Sequence, residues 1–253
     1  ANFCSLIRIL FTAFLMKLLN LTELANKFES DKGTEHFEQH GYTLTYETLF
    51  SPLRSKPIVF LEMGLCIGGP EFGDFLLERT PPDLPSIRIW SEYFDQAHIY
   101  GFDINDFTEL ASEIEDFKFI RGDLTSKADI VNLAKTAAQL EGRQDLVVYD
   151  VVLDDASHAS FHQQQAFALL FPCLNSKGIY IIEDLHWQSE IYEEKLPPVP
   201  KTIDFLKLLS SVKQGVANLP ENYLFCQEVT GFLQDISEIT FHCDNKLAVI
   251  SKY

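Results

Sequence analysis

The chain has 253 residues, enough for one large α/β domain with a substantial core. Its composition, 46% hydrophobic and 23% charged, is ordinary for a globular protein. A formal charge of −17 argues against a nucleic-acid phosphate backbone as the partner.

The cysteines indicate a reducing, cytoplasmic location. Their number is odd, they are scattered, and no C-x-x-C motif occurs, so we expect neither a disulfide framework nor a zinc knuckle. They are Cys4, Cys66, Cys173, Cys226 and Cys243.

Residues 1–56 are predicted to form an N-terminal helical lid or interface segment. A first helix, residues 6–21, is apolar nearly all round, but Arg8 and Lys17 bracket only eight residues, whereas a membrane span needs roughly 20. We therefore expect no stable membrane insertion. The helix is interpreted as a lid, a dimer-interface helix or a domain-joining helix, with a membrane-surface role as the lesser alternative. Shorter helices are predicted at residues 23–28, capped by Thr22, and at 42–53.

Residues 57–253 are predicted to form one α/β domain. Apolar β-branched runs predict strands at residues 57–64, 98–103, 118–123, 148–154 and 179–183. Helices are predicted at residues 87–94, capped by Ser86, and at 127–140, 160–174 and 203–212, with a β-hairpin at 236–242 and 246–251. Residues 70–85 hold four prolines and are interpreted as a loop insertion.

This alternation predicts a Rossmann-like, mostly parallel, seven-stranded sheet that ends in an antiparallel hairpin. The arrangement is typical of class I S-adenosylmethionine (SAM) methyltransferases rather than of dinucleotide dehydrogenases. The dinucleotide fingerprint G-x-G-x-x-G is also absent.

Two predicted strands end in pairs of acids. Asp154 and Asp155 end the fourth strand, and Glu183 and Asp184 end the fifth. Because ligands bind beyond the carboxyl ends of parallel strands, these side chains should converge and repel one another unless a cation lies among them. The oxygen ligands Asp155, Glu183 and Asp184 suit Mg²⁺ or Mn²⁺ rather than zinc.

His158 lies three residues after this acid pair, where a neutral imidazole could take a proton from a hydroxyl. A plainer alternative is that Asp154 and Asp155 cap the following helix and that His158 is a surface residue. His162, one turn further on, is predicted to lie on a helix face.

The first strand-to-helix turn carries Gly64 and Gly68, which would let the backbone approach a ligand closely. Glu62 suits the amino end or the sulfonium of SAM. Asp103, which ends the second strand, could accept both ribose hydroxyls, and Asp123 could meet the adenine amino group. Alternatively, the glycines only make a tight turn and Asp103 caps a helix. The expected cofactor contacts are Glu62, Gly64, Gly68, Asp103, Asp123 and Asp154.

Several motifs occur in one order and resemble a known family. They are Asp31-Lys-Gly-Thr34, Leu61-Glu-x-Gly64, Ile87-Arg-Ile-Trp-x-x-Tyr-Phe94, Asp154-Asp-x-Ser-His158 and Ile182-Glu-Asp184. The order is similar to that of the metal-dependent O-methyltransferases of macrolide biosynthesis, which act on the deoxysugars of mycinamicin and tylosin, and of their cephalosporin-hydroxylase-like relatives. The resemblance spans roughly residues 21–253.

The resemblance implies roles for matching residues. It implies a loop at Asp31 and Lys32 that closes near the cofactor, and a general base at His158. It also implies Mg²⁺ ligands at Asp155, Glu183 and Asp184, and SAM contacts at Glu62, Gly64, Asp103, Asp123 and Asp154.

Two positions depart from the family's pattern, and the first of them, a loop that borders the cofactor cleft, concerns the substrate. The loop at residues 70–85 replaces a shorter connection, and Ala156 stands where the family has glycine. Versions with such a loop look similar to O-methyltransferase domains of modular polyketide synthases, and an apolar N-terminal helix without an initial Met is consistent with an excised domain of that kind.

The sequence thus predicts SAM- and Mg²⁺-dependent O-methylation of a hydroxyl or enol on a small-molecule or carrier-protein-bound natural-product intermediate. The protein would act as a homodimer or as part of a larger synthase. Two alternatives remain open, a polyketide C-methyltransferase and a non-catalytic cofactor-binding docking domain.

Overall fold

The structure is a computed structural model and describes residues 18–36, 38–65, 83–188 and 190–253. The predicted cofactor residue Gly68, residues 70–82 of the predicted loop insertion and most of the first predicted helix lie outside the described residues. Within the described ranges, no helix is both long and apolar enough to cross a membrane.

Seven strands form one sheet in the order β3-β2-β1-β4-β5-β7-β6. The first five in this order are parallel, and β7 is antiparallel to both of its neighbours. This confirms the predicted class I methyltransferase topology. The strands are β1 (Val59–Met63), β2 (His98–Asp103), β3 (Phe117–Arg121), β4 (Tyr149–Asp154), β5 (Leu174–Ile182), β6 (Ile236–His242) and β7 (Leu247–Lys252).

Helices cover both faces of the sheet. They are α1 (Leu21–Lys27), α2 (Thr43–Phe50), α3 (Pro85–Tyr93), α4 (Thr108–Ala111), α5 (Lys127–Leu140), α6 (Ser160–Leu170), α7 (Glu190–Lys195), α8 (Thr202–Lys213) and α9 (Cys226–Phe232). One apolar cluster joins the sheet to α5, α6, α8 and α9, and a second joins its other face to α1, α2 and α3. The described part of the N-terminal segment therefore packs directly on the sheet, whereas the domain boundary at residue 56 stays a prediction.

Helix ends differ from the prediction for local reasons. Asn20, not Thr22, caps α1, because Asn20 and Glu23 form a reciprocal capping box. Helix α3 begins at Pro85, whose fixed φ and missing N–H suit a first helical position, so Ser86 is not its cap. The three short helices α4, α7 and α9 were not predicted, because segments of four to seven residues carry little periodicity.

The register of the parallel strands fixes the geometry at their carboxyl ends. Met63 of β1 pairs with Asp154 of β4, which in turn pairs with Ile182 of β5. The ladder continues one step further, since the Asp155 N–H donates to the Met63 carbonyl and the Glu183 N–H to the Asp154 carbonyl, each at 2.9 Å. The residues that follow these strands therefore lie side by side.

Gly64 permits a close approach between two of these strand ends. Its φ is +81°, and a Cβ there would lie 2.2 Å from the Asp155 carbonyl oxygen and 2.4 Å from the Ala156 Cα. The absent side chain thus lets the turn after β1 pack on the turn after β4, which sets the position of Asp155.

Helix α6 holds three loops through side-chain amides. Its three consecutive glutamines, residues 163–165, are at most 2% exposed. Their amide nitrogens donate, in chain order, to the carbonyls of Glu183, Pro200 and Leu124 at 3.2, 2.6 and 2.6 Å. The loops after β3 and β5 and the loop before α8 are therefore attached to one helix through their main chains.

His162, on the first turn of α6, is buried and contacts two loops through its ring nitrogens. It is 3% exposed, and its ring nitrogens lie 2.6 Å from the Ser157 hydroxyl and 2.9 Å from the Thr125 hydroxyl. Burial lowers the pKa of His162 to about 4, so the ring is neutral at pH 7. The predicted helix-face residue thus bridges the loops that follow β3 and β4.

Gly64→Ala should destabilise the protein more than a glycine change at a roomy position with the same backbone conformation. Gly142 (φ +66°, no atom within 4 Å of an added Cβ) is the matched control. We expect a loss of about 1 kcal/mol for Gly142→Ala from the left-handed conformation alone, and about 3 kcal/mol for Gly64→Ala because overpacking adds to it. Urea unfolding measures both, and equal losses would contradict the close approach.

His162 should make folding stability depend on pH. Its pKa is depressed in the folded state, so below pH 6.5 only the unfolded chain takes up the proton, and stability falls as the pH falls. Between about pH 7 and about pH 5 the wild type should lose about 2 kcal/mol more than His162→Gln. Urea unfolding at both pH values tests this difference, in which the contributions of the other titrating groups cancel. Parallel losses in the two proteins would argue against a neutral buried ring.

Candidate active site

Three of the predicted site residues meet at the ends of β4 and β5. Asp155 directly follows β4, and Glu183 and Asp184 directly follow β5. Glu183 is 1% exposed, and the side chains of Asp155 and Asp184 are only 19% and 14% exposed. The structure therefore places these carboxylates in partly dry surroundings, where their mutual repulsion is strong.

A lysine from the N-terminal segment lies among these carboxylates. The side chain of Lys32 is 2% exposed, and its Nζ lies 2.8 Å from Glu183 Oε2, in direct contact with Asp155 Oδ2 and 3.9 Å from Glu62 Oε1. Burial by itself would lower the Lys32 pKa, but Asp155 and Glu183 outweigh it and raise the pKa well above its usual value. The ammonium therefore stays charged.

The loop that carries Lys32 is fixed to the first two helices. The Thr43 N–H at the start of α2 donates to the Lys32 carbonyl at 3.2 Å. The Asn26 side chain on α1 accepts from the Thr34 N–H at 2.9 Å. A Cβ on Gly33 would lie 2.3 Å from the same Asn26 oxygen, so a side chain there would displace the Asn26 amide from this hydrogen bond. Lys32 is thus held in place by its backbone as well as by its charge.

Two tyrosines complete the polar contacts of the acids. Tyr46 donates a hydrogen bond to Glu183 Oε1, and Tyr42 donates one to Asp184 Oδ1. Burial first, and then the neighbouring carboxylates, raise the pKa of both phenols, so both remain protonated donors. With Lys32 on its other oxygen, Glu183 has a partner on each side.

One ammonium does not neutralise all of this negative charge. Burial raises the pKa of Asp155 and, more strongly, that of Glu183, although Lys32 opposes the shift in both. Asp184 differs from them, because His158 and the Tyr42 hydroxyl outweigh burial and hold its pKa below the usual value. The carboxylates therefore carry more negative charge than Lys32 neutralises, and a further cation could offset it.

Histidines surround Asp184. The Nε2 of His158 lies 3.8 Å from Asp184 Oδ2, while His186 Nδ1 and His40 Nε2 lie 3.8 and 4.0 Å from Oδ1. His158 also packs edge-on against Trp187, with ring centroids 5.5 Å apart. Its Nδ1 has no hydrogen-bond partner among the described residues. The predicted base thus lies beside the acids rather than on the open surface.

The described residues contain one group that could hold a metal ion. Asp155, His158 and Asp184 each offer a ligand atom, and these atoms lie within 4.8 Å of one another. Asp155 and Asp184 belong to the predicted ligand set. Glu183, its third member, faces Lys32 and Tyr46 instead of completing this group.

The alternative that Asp154 and Asp155 cap the next helix is wrong. Ala159 is the N-cap of α6 and makes no side-chain capping bond. The Ser160 N–H at the start of this helix donates instead to Glu193 Oε1 of α7, at 2.7 Å. The acid pair is therefore free of a capping role in α6.

Three of the predicted cofactor residues lie along the same edge of the sheet, at the ends of β2, β3 and β4. Asp103 accepts from the Leu65 and Asn105 N–H groups at 2.9 and 2.8 Å and does not cap α4. Asp123 accepts from the Thr125 N–H at 2.7 Å. Burial raises the pKa of Asp154 to about 7.

Glu62 points to the side of the sheet that the N-terminal segment covers. It is fully buried, and its Oε2 accepts from the Trp90 Nε1 at 2.9 Å. Burial raises the Glu62 pKa to about 7, and Lys32 opposes the shift. Its described contacts are therefore with α3 and with Lys32.

The direct contact between Lys32 and the acids was not predicted, and neither were the roles of Tyr42 and Tyr46. The family resemblance had marked Lys32 only as part of a loop near the cofactor. A signal for the tyrosines existed, because residues four apart share one helix face. Nothing in the sequence indicated what that face contacts.

No family model matches the chain. One relative is the 8-demethyl-8-alpha-L-rhamnosyl tetracenomycin-C 2'-O-methyltransferase of Streptomyces olivaceus. It is 31% identical to this chain over 153 residues, which are 60% of this chain and 35% of the relative. The demethylmacrocin O-methyltransferase of Streptomyces fradiae is 30% identical over 169 residues, 66% of this chain and 36% of the relative. The chain thus spans about a third of the length of each relative.

A solved structure shows the same fold. The MycE methyltransferase of the mycinamicin biosynthetic pathway, in complex with Mg and SAH, superposes with a TM-score of 0.66 at 23% identity. The match covers 93% of this chain and 55% of that one. The chain is therefore a sequence relative of the sugar O-methyltransferases of macrolide and polyketide biosynthesis, and it has the class I SAM-dependent methyltransferase fold.

Proposed function

We propose that the chain is a SAM-dependent O-methyltransferase that uses a divalent cation and acts on a hydroxyl of a natural-product intermediate. The observation that carries the proposal is the grouping of Asp155, Asp184 and His158 at the strand ends, where open α/β sheets bind ligands. The rhamnosyl group in the name of the tetracenomycin-C relative makes a glycosylated polyketide or macrolide the first acceptor class to test.

A hard divalent cation fits the residues present. Mg²⁺ is commonly bound by one or two carboxylates and keeps several waters, which suits Asp155 and Asp184 as ligands. The excess of carboxylates over Lys32 and the raised pKa values of Asp155 and Glu183 both favour an additional positive charge. Glu183, the third ligand predicted from the sequence, would contribute mainly its charge while Lys32 and Tyr46 hold it.

SAM would bind along the neighbouring strand ends and supply the methyl group. Asp103, already oriented by two backbone N–H groups, would accept from the ribose hydroxyls, and Asp123 would lie nearer the adenine. Asp154 would border the methionine end. Gly64 would contribute indirectly, because it lets the turn after β1 pack against Asp155. Gly68 remains a proposed contact outside the described residues.

A divalent cation at Asp155 and Asp184 would lower the pKa of an acceptor hydroxyl placed beside it. His158 would then accept the hydroxyl proton, a step that contributes about 10²- to 10⁴-fold to the rate. Asp184 Oδ2, 3.8 Å from His158 Nε2, would stabilise the imidazolium that forms. Trp187, an exposed residue, would pack edge-on against the ring.

The proposed activity is tested with methyl-labelled SAM and acceptors of two kinds. The first are macrolides and aromatic polyketides that carry rhamnose or deoxysugars, and the second are carrier-bound hydroxyacyl and β-ketoacyl thioesters. We expect a labelled O-methyl product on one acceptor class, with Mg²⁺ or Mn²⁺ present and not with EDTA. Product mass spectrometry locates the methyl group. Transfer to carbon, or no cation-dependent transfer to any acceptor, would contradict the proposal.

The role of His158 is tested with His158→Asn, because asparagine tolerates the left-handed backbone of this residue (φ 57°). We expect turnover to fall by about 10²- to 10⁴-fold, with SAM affinity in calorimetry unchanged. The control is His186→Asn, whose ring lies equally close to Asp184 but is more exposed. It should lose much less activity. Similar losses in both variants would make the effect a general one on Asp184 and remove His158 as the base.

A further inference from the structure

Lys32 is a buried cation that contacts the carboxylates on which the proposed metal site depends. Its Nζ is in direct contact with Asp155 and lies 2.8 Å from Glu183 and 3.9 Å from Glu62. Only 2% of the Lys32 side chain is exposed. Asp155 is at the same time one of the three residues that could hold a metal ion. One carboxylate would therefore serve two cations, one supplied by the chain and one taken from solution.

Two consequences follow from electrostatics. Without a divalent ion, the ammonium offsets the repulsion between Asp155 and Glu183 and makes their burial tolerable. With an ion present, the ammonium repels it across a short distance in surroundings of low dielectric, where each positive charge reduces the affinity for the next. The same contacts that stabilise the metal-free protein thus oppose metal binding.

We propose that Lys32 competes with the divalent ion. Its ammonium neutralises Asp155 and Glu183 in the metal-free protein and thereby lowers the affinity of the site for the metal. The inference rests on the proposed function, because it takes the ion to bind at Asp155 and Asp184. The fixed backbone of the Lys32 loop supports it, since Thr43 and Asn26 hold the loop against the first two helices.

A purely structural ion pair makes the opposite prediction. If Lys32 only kept the carboxylates in position, its removal would disorder the site and weaken metal binding, as loss of a supporting residue around a metal commonly does by about 10- to 100-fold. If Lys32 competes with the ion, its removal strengthens binding. The direction of the change separates the two roles.

The experiment titrates Mn²⁺ into the full chain and follows the electron paramagnetic resonance signal of free Mn²⁺. The variants are Lys32→Met, which removes the charge, and Lys32→Gln, which keeps a hydrogen-bond donor for Glu183 if the methionine variant folds poorly. Lys27→Met is the matched control, since Lys27 pairs with Glu92 on the surface and its side chain is 47% exposed.

Both Lys32 variants should bind Mn²⁺ at least about tenfold more tightly than the wild type, and Lys27→Met should bind it as the wild type does. Thermal unfolding should show lower midpoints for the Lys32 variants in EDTA and a larger rise on adding Mn²⁺. If the wild type binds Mn²⁺ and the Lys32 variants bind it equally or more weakly, the inference about Lys32 is wrong but the proposed function is unaffected. Absence of Mn²⁺ binding by every variant would remove the cation from the proposed function as well.

Discussion

Negative charge collected at one edge of the sheet is the constraint on which the site depends. The parallel register sets the acids that follow β4 and β5 side by side, in partly dry surroundings that screen their charges only weakly. The hydrogen-bond partners of these acids come from the N-terminal part of the chain, where residues 32–46 supply one ammonium and two phenol groups. The segment before β1 is therefore part of the candidate site, and its packing on the sheet positions these partners as well as forming part of the core.

The edge of the sheet that carries the site could be predicted because the signals are local. A short β-branched run that ends in acids is a buried parallel strand, and the alternation with helices places such strands next to one another in the same direction. The position of Asp155 beside Glu183 follows from these two facts. The closing hairpin was equally predictable, because its strands are adjacent in sequence and joined by a short turn.

The partners of the acids could not be predicted because they are distant in sequence. Lys32 is 123 residues from Asp155 and 151 from Glu183, and no local pattern selects one carboxylate of an acidic chain over another. Gly64 illustrates the same limit. Its position in a turn indicates that something comes close, but only the folded chain identifies that neighbour as the backbone after β4. Helix starts such as Pro85 depend on competition between neighbouring residues within a single turn.

The three glutamines of α6 have a consequence for how this fold can diversify. Each donates a hydrogen bond to a main-chain carbonyl oxygen rather than to a side chain of the loop. A carbonyl is present whatever residue occupies the position, so the attachment does not depend on the identity of the loop residue. The side chains of these three loops can thus change while the points at which the loops are attached stay where they are. One helix whose contacts reach only the main chain allows three loops to vary on an unchanged frame.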